Sequence, residues 1–371
     1  MPGVDASRAH RAESLPLPAQ AEVLWERQLS AGIGANLLVD ATGSVFVVSP
    51  GRVTQFAADG SEQYVRQADV TSAVAVSLLA NGVRVLLTRE GKLLSWSAQG
   101  TPQFQVALTA PGSYAHASLL PLPEGGILAH LGSSLFRLSA YGEPEGFAEL
   151  KREAVETLIE RDSTWIVASD GEVWTWNGRD PPALRGSFPS PVSAAALGAR
   201  GRLLAIVGAG DLVSWTAPTG PSLTLAQLEG LGSAPRISAP GGELVHVLGS
   251  SGNLLSVRAG ESAAPPAAPE RVSDRQRVPA GPGVVLASPD GTVAWLAPTL
   301  PLALRHAAEP PYLLSNVSCN QPLSLVPAGD QRLVASCKSG QIWMIGPSAT
   351  GGRPTATDPD SNDTDSNDTV R

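Results

Sequence analysis

Short apolar runs, separated by turns rich in Gly, Asp, Ser and Pro, recur along the chain from residue 22 to residue 346. One pattern repeats: a turn residue, a polar residue, an aliphatic residue, a bulky residue, a small polar residue, then an aromatic or aliphatic anchor. It reads GRVTQFA at 51–57, GKLLSWS at 91–97, SSLFRLS at 133–139 and GEVWTWN at 171–177. It continues as GDLVSWT at 210–216, GNLLSVR at 252–258, GTVAWLA at 291–297 and GQIWMIG at 340–346. The starts step by 40, 42, 38, 39, 42, 39 and 49 residues. A near-constant period of this size is the length of one four-stranded propeller blade.

The chemistry of the repeated line points the same way. Its third position is always aliphatic: Val53, Leu93, Leu135, Val173, Leu212, Leu254, Val293 and Ile342. Neighbouring positions are mostly large and apolar too, so the strand buries both faces; a half-buried strand would alternate. Six tryptophans, Trp96, Trp174, Trp176, Trp215, Trp295 and Trp343, lie in these lines, where wide gaps between blades need bulk. A second apolar run precedes each line, as at 44–48, 126–131 and 202–207, and a tight Gly-containing hairpin joins the two. Small-residue runs further upstream, such as 71–79 and 192–198, suit an inner strand, and turns such as Ala58-Asp59-Gly60 lead to an outer one.

The pattern therefore predicts an all-β chain: a single eight-bladed β-propeller of four-stranded blades over 21–346. It predicts a flexible N-terminal segment over 1–20 and a disordered acidic tail over 347–371. The eighth line is followed by no outer strand. The run Glu22–Leu29 (EVLWERQL) is expected beside Ile342–Ile345, closing the ring and removing two exposed sheet edges.

Composition narrows the function classes. With 38 Gly and 32 Pro in 371 residues a helical bundle is excluded, and 43% hydrophobic residues suffice for a core. The net charge is −8, and Asp358, Asp360, Asp363, Asp365 and Asp368 of the tail account for five of the acidic residues. No basic stripe suggests nucleic acid, and no apolar run suggests a membrane span. The tandem DSNDT at 360–369 lacks the central Gly and closing Glu of a calcium loop, so it reads as solvated. His10, His116, His130, His246 and His306 show no metal-site spacing; His130 and His246, inside apolar runs, read as satisfied core histidines. No metal or cofactor is expected.

Cys319 and Cys337 are the only cysteines. Taking Val326 opposite Gln331 around the turn at 327–330 sets the two nearly opposite across one hairpin, so a disulfide is expected. It implies an oxidising compartment, although residues 1–20 hold no apolar run of signal-peptide length. The reading is cell envelope or periplasm, with the cytoplasm left open. The long last step falls on Pro298–Asn320, read as an extended loop pinned by Cys319. Arg305, His306, Pro310, Pro311, Tyr312 and Asn316 in it are the candidates for a partner-binding face, and the Pro-rich stretch 263–269 is the runner-up.

The lines resemble the pyrroloquinoline-quinone-like (PQQ-like) propeller repeat. The nearest match is Leu212–Pro221 (LVSWTAPTGP), with the Thr219-Gly220 turn but Thr216 where the family has Asp. Residues 93–100 and 53–60 match its apolar frame and turn Gly, and Val23-Leu24-Trp25 resembles its outer strand. The superfamily holds quinoprotein dehydrogenases and non-catalytic propellers, among them a subunit of the outer-membrane β-barrel assembly machinery. The dehydrogenases use an adjacent Cys-Cys pair, which is not present in this sequence. The resemblance thus implies a monomeric, non-catalytic scaffold for protein contacts, its partner unidentified. The alternative is a propeller that takes a quinone or a sugar-like molecule in its channel; a WD-repeat platform lacks its Gly-His and Trp-Asp signatures.

Overall fold

The computed structural model describes residues 18, 21–35, 37–70, 72–109, 116–160, 163–198, 202–215, 222–228, 231, 235–239, 244–249, 254–258, 283–288, 292–306, 311–329 and 331–348. Apart from Pro18, the expected flexible segment lies outside them, as do the tail beyond 348, the stretch 263–269 and Pro310.

The apolar runs form strands, opening with β1 (Ala21–Gln28). Blade one holds β2 (Leu38–Val39), β3 (Val45–Ser49), β4 (Arg52–Phe56) and β5 (Glu62–Gln67). Blade two holds β6 (Ala73–Leu78), β7 (Arg84–Thr88), β8 (Lys92–Trp96) and β9 (Pro102–Ala107). Blade three holds β10 (Ala117–Pro121), β11 (Ile127–Leu131), β12 (Ser134–Leu138) and β13 (Pro144–Glu149). Blade four holds β14 (Ala154–Glu160), β15 (Ser163–Ala168), β16 (Glu172–Trp176) and β17 (Ala183–Ser187). Blade five holds β18 (Val192–Leu197), β19 (Leu203–Val207), β20 (Asp211–Trp215) and β21 (Ser222–Gln227). Blade six shows β22 (Arg236–Ser238), β23 (Leu244–Leu248) and β24 (Leu254–Arg258), three strands among the described residues. Blade seven holds β25 (Val284–Ala287), β26 (Thr292–Leu296), β27 (Pro301–His306) and β28 (Tyr312–Ser318). Blade eight holds β29 (Pro322–Pro327), β30 (Leu333–Cys337) and β31 (Gln341–Pro347), with β1 as its outer strand. All pairings are antiparallel, and the eight sheets stand in a ring as an eight-bladed β-propeller.

The core lies between blades, which is why the repeated line carries no polar face. In β31, Trp343 and Ile345 pack toward blade seven, whereas Ile342 and Met344 pack toward blade one. Each of the eight apolar clusters joins two adjacent blades in this way; between blades one and two, Phe46 and Val48 meet Val76, Leu86 and Trp96. The tryptophans fill the same seams: Trp215 lies edge-on to Trp165 at 6.3 Å between blades four and five. A buried ion pair crosses the seam between blades one and two, Arg84 Nη2 to Asp40 Oδ2 at 2.8 Å.

The expected neighbour of β31 is in place. β1 runs antiparallel to it with Val23 opposite Ile345 and Arg27 opposite Ile342, and a bulge separates Val23 from Trp25. The indole of Trp25 projects into the seam with blade one and donates from Nε1 to the Ala58 carbonyl at 2.9 Å.

Two sequence expectations change in blade seven. The line at 291–297 falls on the second strand, β26, and not on the third. The third strand is β27, whose Leu302–Arg305 are all buried, and β25 packs against the inner strands β22 and β29. The sequence PLALRH has neither the turn Gly nor the small polar position of the other lines, so the pattern matched one strand early. Consequently Pro298–Asn320 is no extended loop: it contributes β27 and β28.

The disulfide joins Cys319 to Cys337 with Cα atoms 6.1 Å apart, but its role differs from the expected cross-hairpin staple. In the hairpin Val326 faces Val334, not Gln331, and Cys337 faces Pro322. The turn centres later than the sequence suggested because Gln331 takes a left-handed conformation (φ 59°), and Arg332 N–H closes on the Gly329 carbonyl at 2.7 Å. Cys319 follows the outer strand of blade seven and Cys337 ends the second strand of blade eight, so the bond ties two blades together.

Candidate functional site

The candidate residues of blade seven part company in the fold. Arg305, on β27, turns into the seam with blade six and is 8% exposed. Its Nη2 donates to Ser256 Oγ at 3.2 Å, and that hydroxyl lies 2.9 Å from His246 Nδ1. Because Arg305 only donates, Ser256 accepts from it and gives its own proton to the imidazole. His306, at the end of β27, is half-buried with Nδ1 2.6 Å from Thr292 Oγ1. Pro311 immediately precedes the strand opposite and Tyr312 begins it, with Tyr312 exposed, and Asn316 stands exposed further along β28. The structure thus gathers His306, Pro311 and Tyr312 at one hairpin end and takes Arg305 away from the surface.

The two core histidines differ. In blade three, His130 Nε2 donates to the Gly132 carbonyl at 2.8 Å, which leaves Nδ1 to accept from Ser118 Oγ at 3.3 Å. Thr157 of blade four supplies the next link, 2.6 Å from Ser118 Oγ. The Gly132 carbonyl thus fixes the tautomer, and the chain of hydroxyls runs across a seam. Burial lowers the His130 pKa to about 4 and keeps the ring neutral. His246 is lowered to about 4 as well, by burial first and by the Arg305 charge second. Its Nε2 has no hydrogen-bond partner among the described residues, so here the expected satisfaction is only half met. Both rings are buried, each 1% exposed.

Among the described residues no three His, Cys, Asp or Glu side chains converge as a metal site, and no helix is long and apolar enough to cross a membrane.

The rim is where the molecule offers unsatisfied apolar surface. Among the described residues seven large apolar side chains are exposed: Leu24, Tyr141, Phe147, Leu184, Leu223, Tyr312 and Leu313. All but Tyr141 sit on outer strands, and Tyr141 is in the turn that leads to one. Apart from Tyr312, already a candidate for a partner-binding face, sequence reasoning passed over them because the outer strands follow the repeat poorly; the one available signal was an apolar residue amid polar neighbours, as in Pro144–Glu149 (PEGFAE).

A ring of antiparallel meander sheets has solved counterparts. The fold is similar to that of BamB. The BamB structure from Moraxella catarrhalis superposes with a TM-score of 0.65 at 15% identity, covering 88% of this chain and 98% of that one. The computationally designed Ika8 protein gives 0.65 at 13% identity over 89% and 99%. Virginiamycin B lyase from Staphylococcus aureus gives 0.54 at 11% identity over 88% and 99%. No family model matches the chain, and no curated protein matches it in sequence. The likeness to BamB and to the lyase is a likeness of fold, which one architecture lends to different functions.

Proposed function

We propose that this chain is a non-catalytic propeller scaffold that holds protein partners in the bacterial cell envelope. The observation that carries the reading is the rim: the exposed large apolar side chains of the described residues gather on the outer strands of the blades. An apolar group kept in water on a rigid strand is a ready anchor for another protein. The disulfide between blades seven and eight supports an oxidising compartment, and the fold shared with BamB supports the envelope. The buried polar groups support the non-catalytic part, because His130 and His246 are buried and bond within their own blades and Arg305 bonds across a seam to Ser256.

The competing reading, a small molecule held in the channel, draws on the likeness to virginiamycin B lyase. Thermal melting and absorbance of the full chain titrated with PQQ and calcium separate the two. The scaffold reading expects an unchanged melting curve and no new absorbance band; a saturable shift overturns it.

A further inference from the structure

The two most exposed large apolar side chains of the described residues, Tyr141 at 78% and Phe147 at 56%, share one hairpin of blade three. Phe147 stands opposite Phe136 on β12, their rings 5.2 Å apart, and Phe136 packs with Phe104 of blade two on the apolar cluster that joins the two blades. An aromatic strip thus lines the outer end of the seam between blades two and three. The exposed charges of the hairpin itself, residues 134–149, are all carboxylates. Glu143, Glu145 and Glu149 are exposed on the same hairpin, and Glu149, two residues beyond Phe147, projects on the same face of β13.

The hairpin holds one cation, Arg137, and it is already engaged: it donates to Glu124 at 2.5 Å, to Glu145 at 3.0 Å and to the Asn177 carbonyl at 2.7 Å. Glu143 and Glu149 have no ion pair among the described residues. The outer strand of blade two, PQFQVA, brings no charge of its own. β13 is the last strand of its sheet, and among the described residues nothing pairs with its outer edge. Exposed aromatics, unpaired carboxylates and a free strand edge on one hairpin together define the complement: an extended backbone with apolar and cationic side chains.

We propose that this edge docks an extended, basic segment of a partner protein, its apolar side chains on Phe147 and Tyr141 and its Lys or Arg side chains toward Glu143 and Glu149. The proposal rests on the scaffold reading and names the surface and the partner chemistry. The aromatic rings supply most of the affinity, and the rim carboxylates set the sign of the partner and the rate of encounter.

The test titrates the full chain against a labelled synthetic peptide of alternating Lys and Val, and against its Glu-for-Lys counterpart, by fluorescence anisotropy. The Lys peptide is expected to bind saturably and the Glu peptide not at all. Phe147→Ser should weaken binding about tenfold, as loss of a central anchor does. Glu143→Gln with Glu149→Gln should weaken it less and flatten its salt dependence. Both variants alter exposed side chains, and their melting curves, taken alongside, are expected to match the parent. Tyr141→Ser serves as a second variant should Phe147→Ser melt early. No binding, binding indifferent to these substitutions, or equal binding of the Glu peptide overturns this edge as the docking site. Any of those results leaves the scaffold reading standing, since that reading falls to the PQQ titration instead.

Discussion

The indole of Trp25 lies against Gly60. A β-carbon added to Gly60 would come within 2.7 Å of Trp25 Cγ, and the glycine itself has φ +80°. Trp25 belongs to β1, in the sheet of blade eight, and Gly60 to the turn between β4 and β5 of blade one. The Arg27 guanidinium seals the contact from Nε to the Gly60 carbonyl at 2.9 Å. The contact recurs around the ring: the Tyr64 ring lies against Gly100, and the Phe104 ring against Gly142. In each case an aromatic of one outer strand occupies the space that a missing side chain leaves in the next blade.

Gly60→Ala is therefore expected to destabilise the protein. The left-handed conformation alone costs about 1–2 kcal/mol, and collision with the indole adds to it. Chemical denaturation checks this, and Trp25→Ala combined with Gly60→Ala should cost less than the sum of the two singles. An additive pair would show that the ring and the glycine do not interact.

Deleting residues 21–30 should lower the melting temperature sharply, because it strips β31 of its partner and opens the seam with blade one. Trp25→Ala alone should cost about 3–5 kcal/mol, as truncation of a buried Trp does. We take β1 to be what holds the ring closed; an unchanged melting curve for the deletion would contradict that.

The eight blades were legible because seam packing imposes the same two-faced burial on each third strand, and that constraint writes itself as a period. The N-terminal strand was legible for a different reason: an orphan strand at one end met a sheet lacking its outer strand at the other. What escaped was local. The turn at 328–332 depends on Gln331 adopting a positive φ, which no pattern announces, so the hairpin register came out three residues early and the disulfide was placed within one blade. Blade seven was displaced by one strand because Pro301–His306 fills its seam with Leu302 and Leu304 but lacks the turn Gly. The rim site was hardly legible at all, since Tyr141 and Phe147 follow no period and matter only through their exposure.

Reduction of Cys319–Cys337, or Cys319→Ser with Cys337→Ser, should cost about 3 kcal/mol by releasing a loop with a sequence separation of 18. Because the bond joins two blades, hydrogen exchange should rise first in β28 and β30, on either side of it. Protection lost evenly around the ring would count against a role confined to this seam.

Stability should begin to fall with acid above the ordinary carboxylate range. The folded pKa values of His130 and His246 are both lowered from 6.5 to about 4, so the fold holds the neutral ring and the unfolded chain takes up the proton first. The stabilisation is complete above pH 6.5 and is lost progressively as pH falls from there toward 4, by about 3 kcal/mol for each histidine. Denaturation curves across that range check it; burial lowers the His116 pKa too, so His130→Asn should reduce the slope without abolishing it.

The most direct test of the scaffold account is native mass spectrometry of the full chain isolated from the envelope of its source, beside the Phe147→Ser form isolated in parallel. The account predicts a stoichiometric protein complex with the parent and a diminished one with the variant. A chain recovered alone, carrying a bound small molecule and no protein, would contradict it.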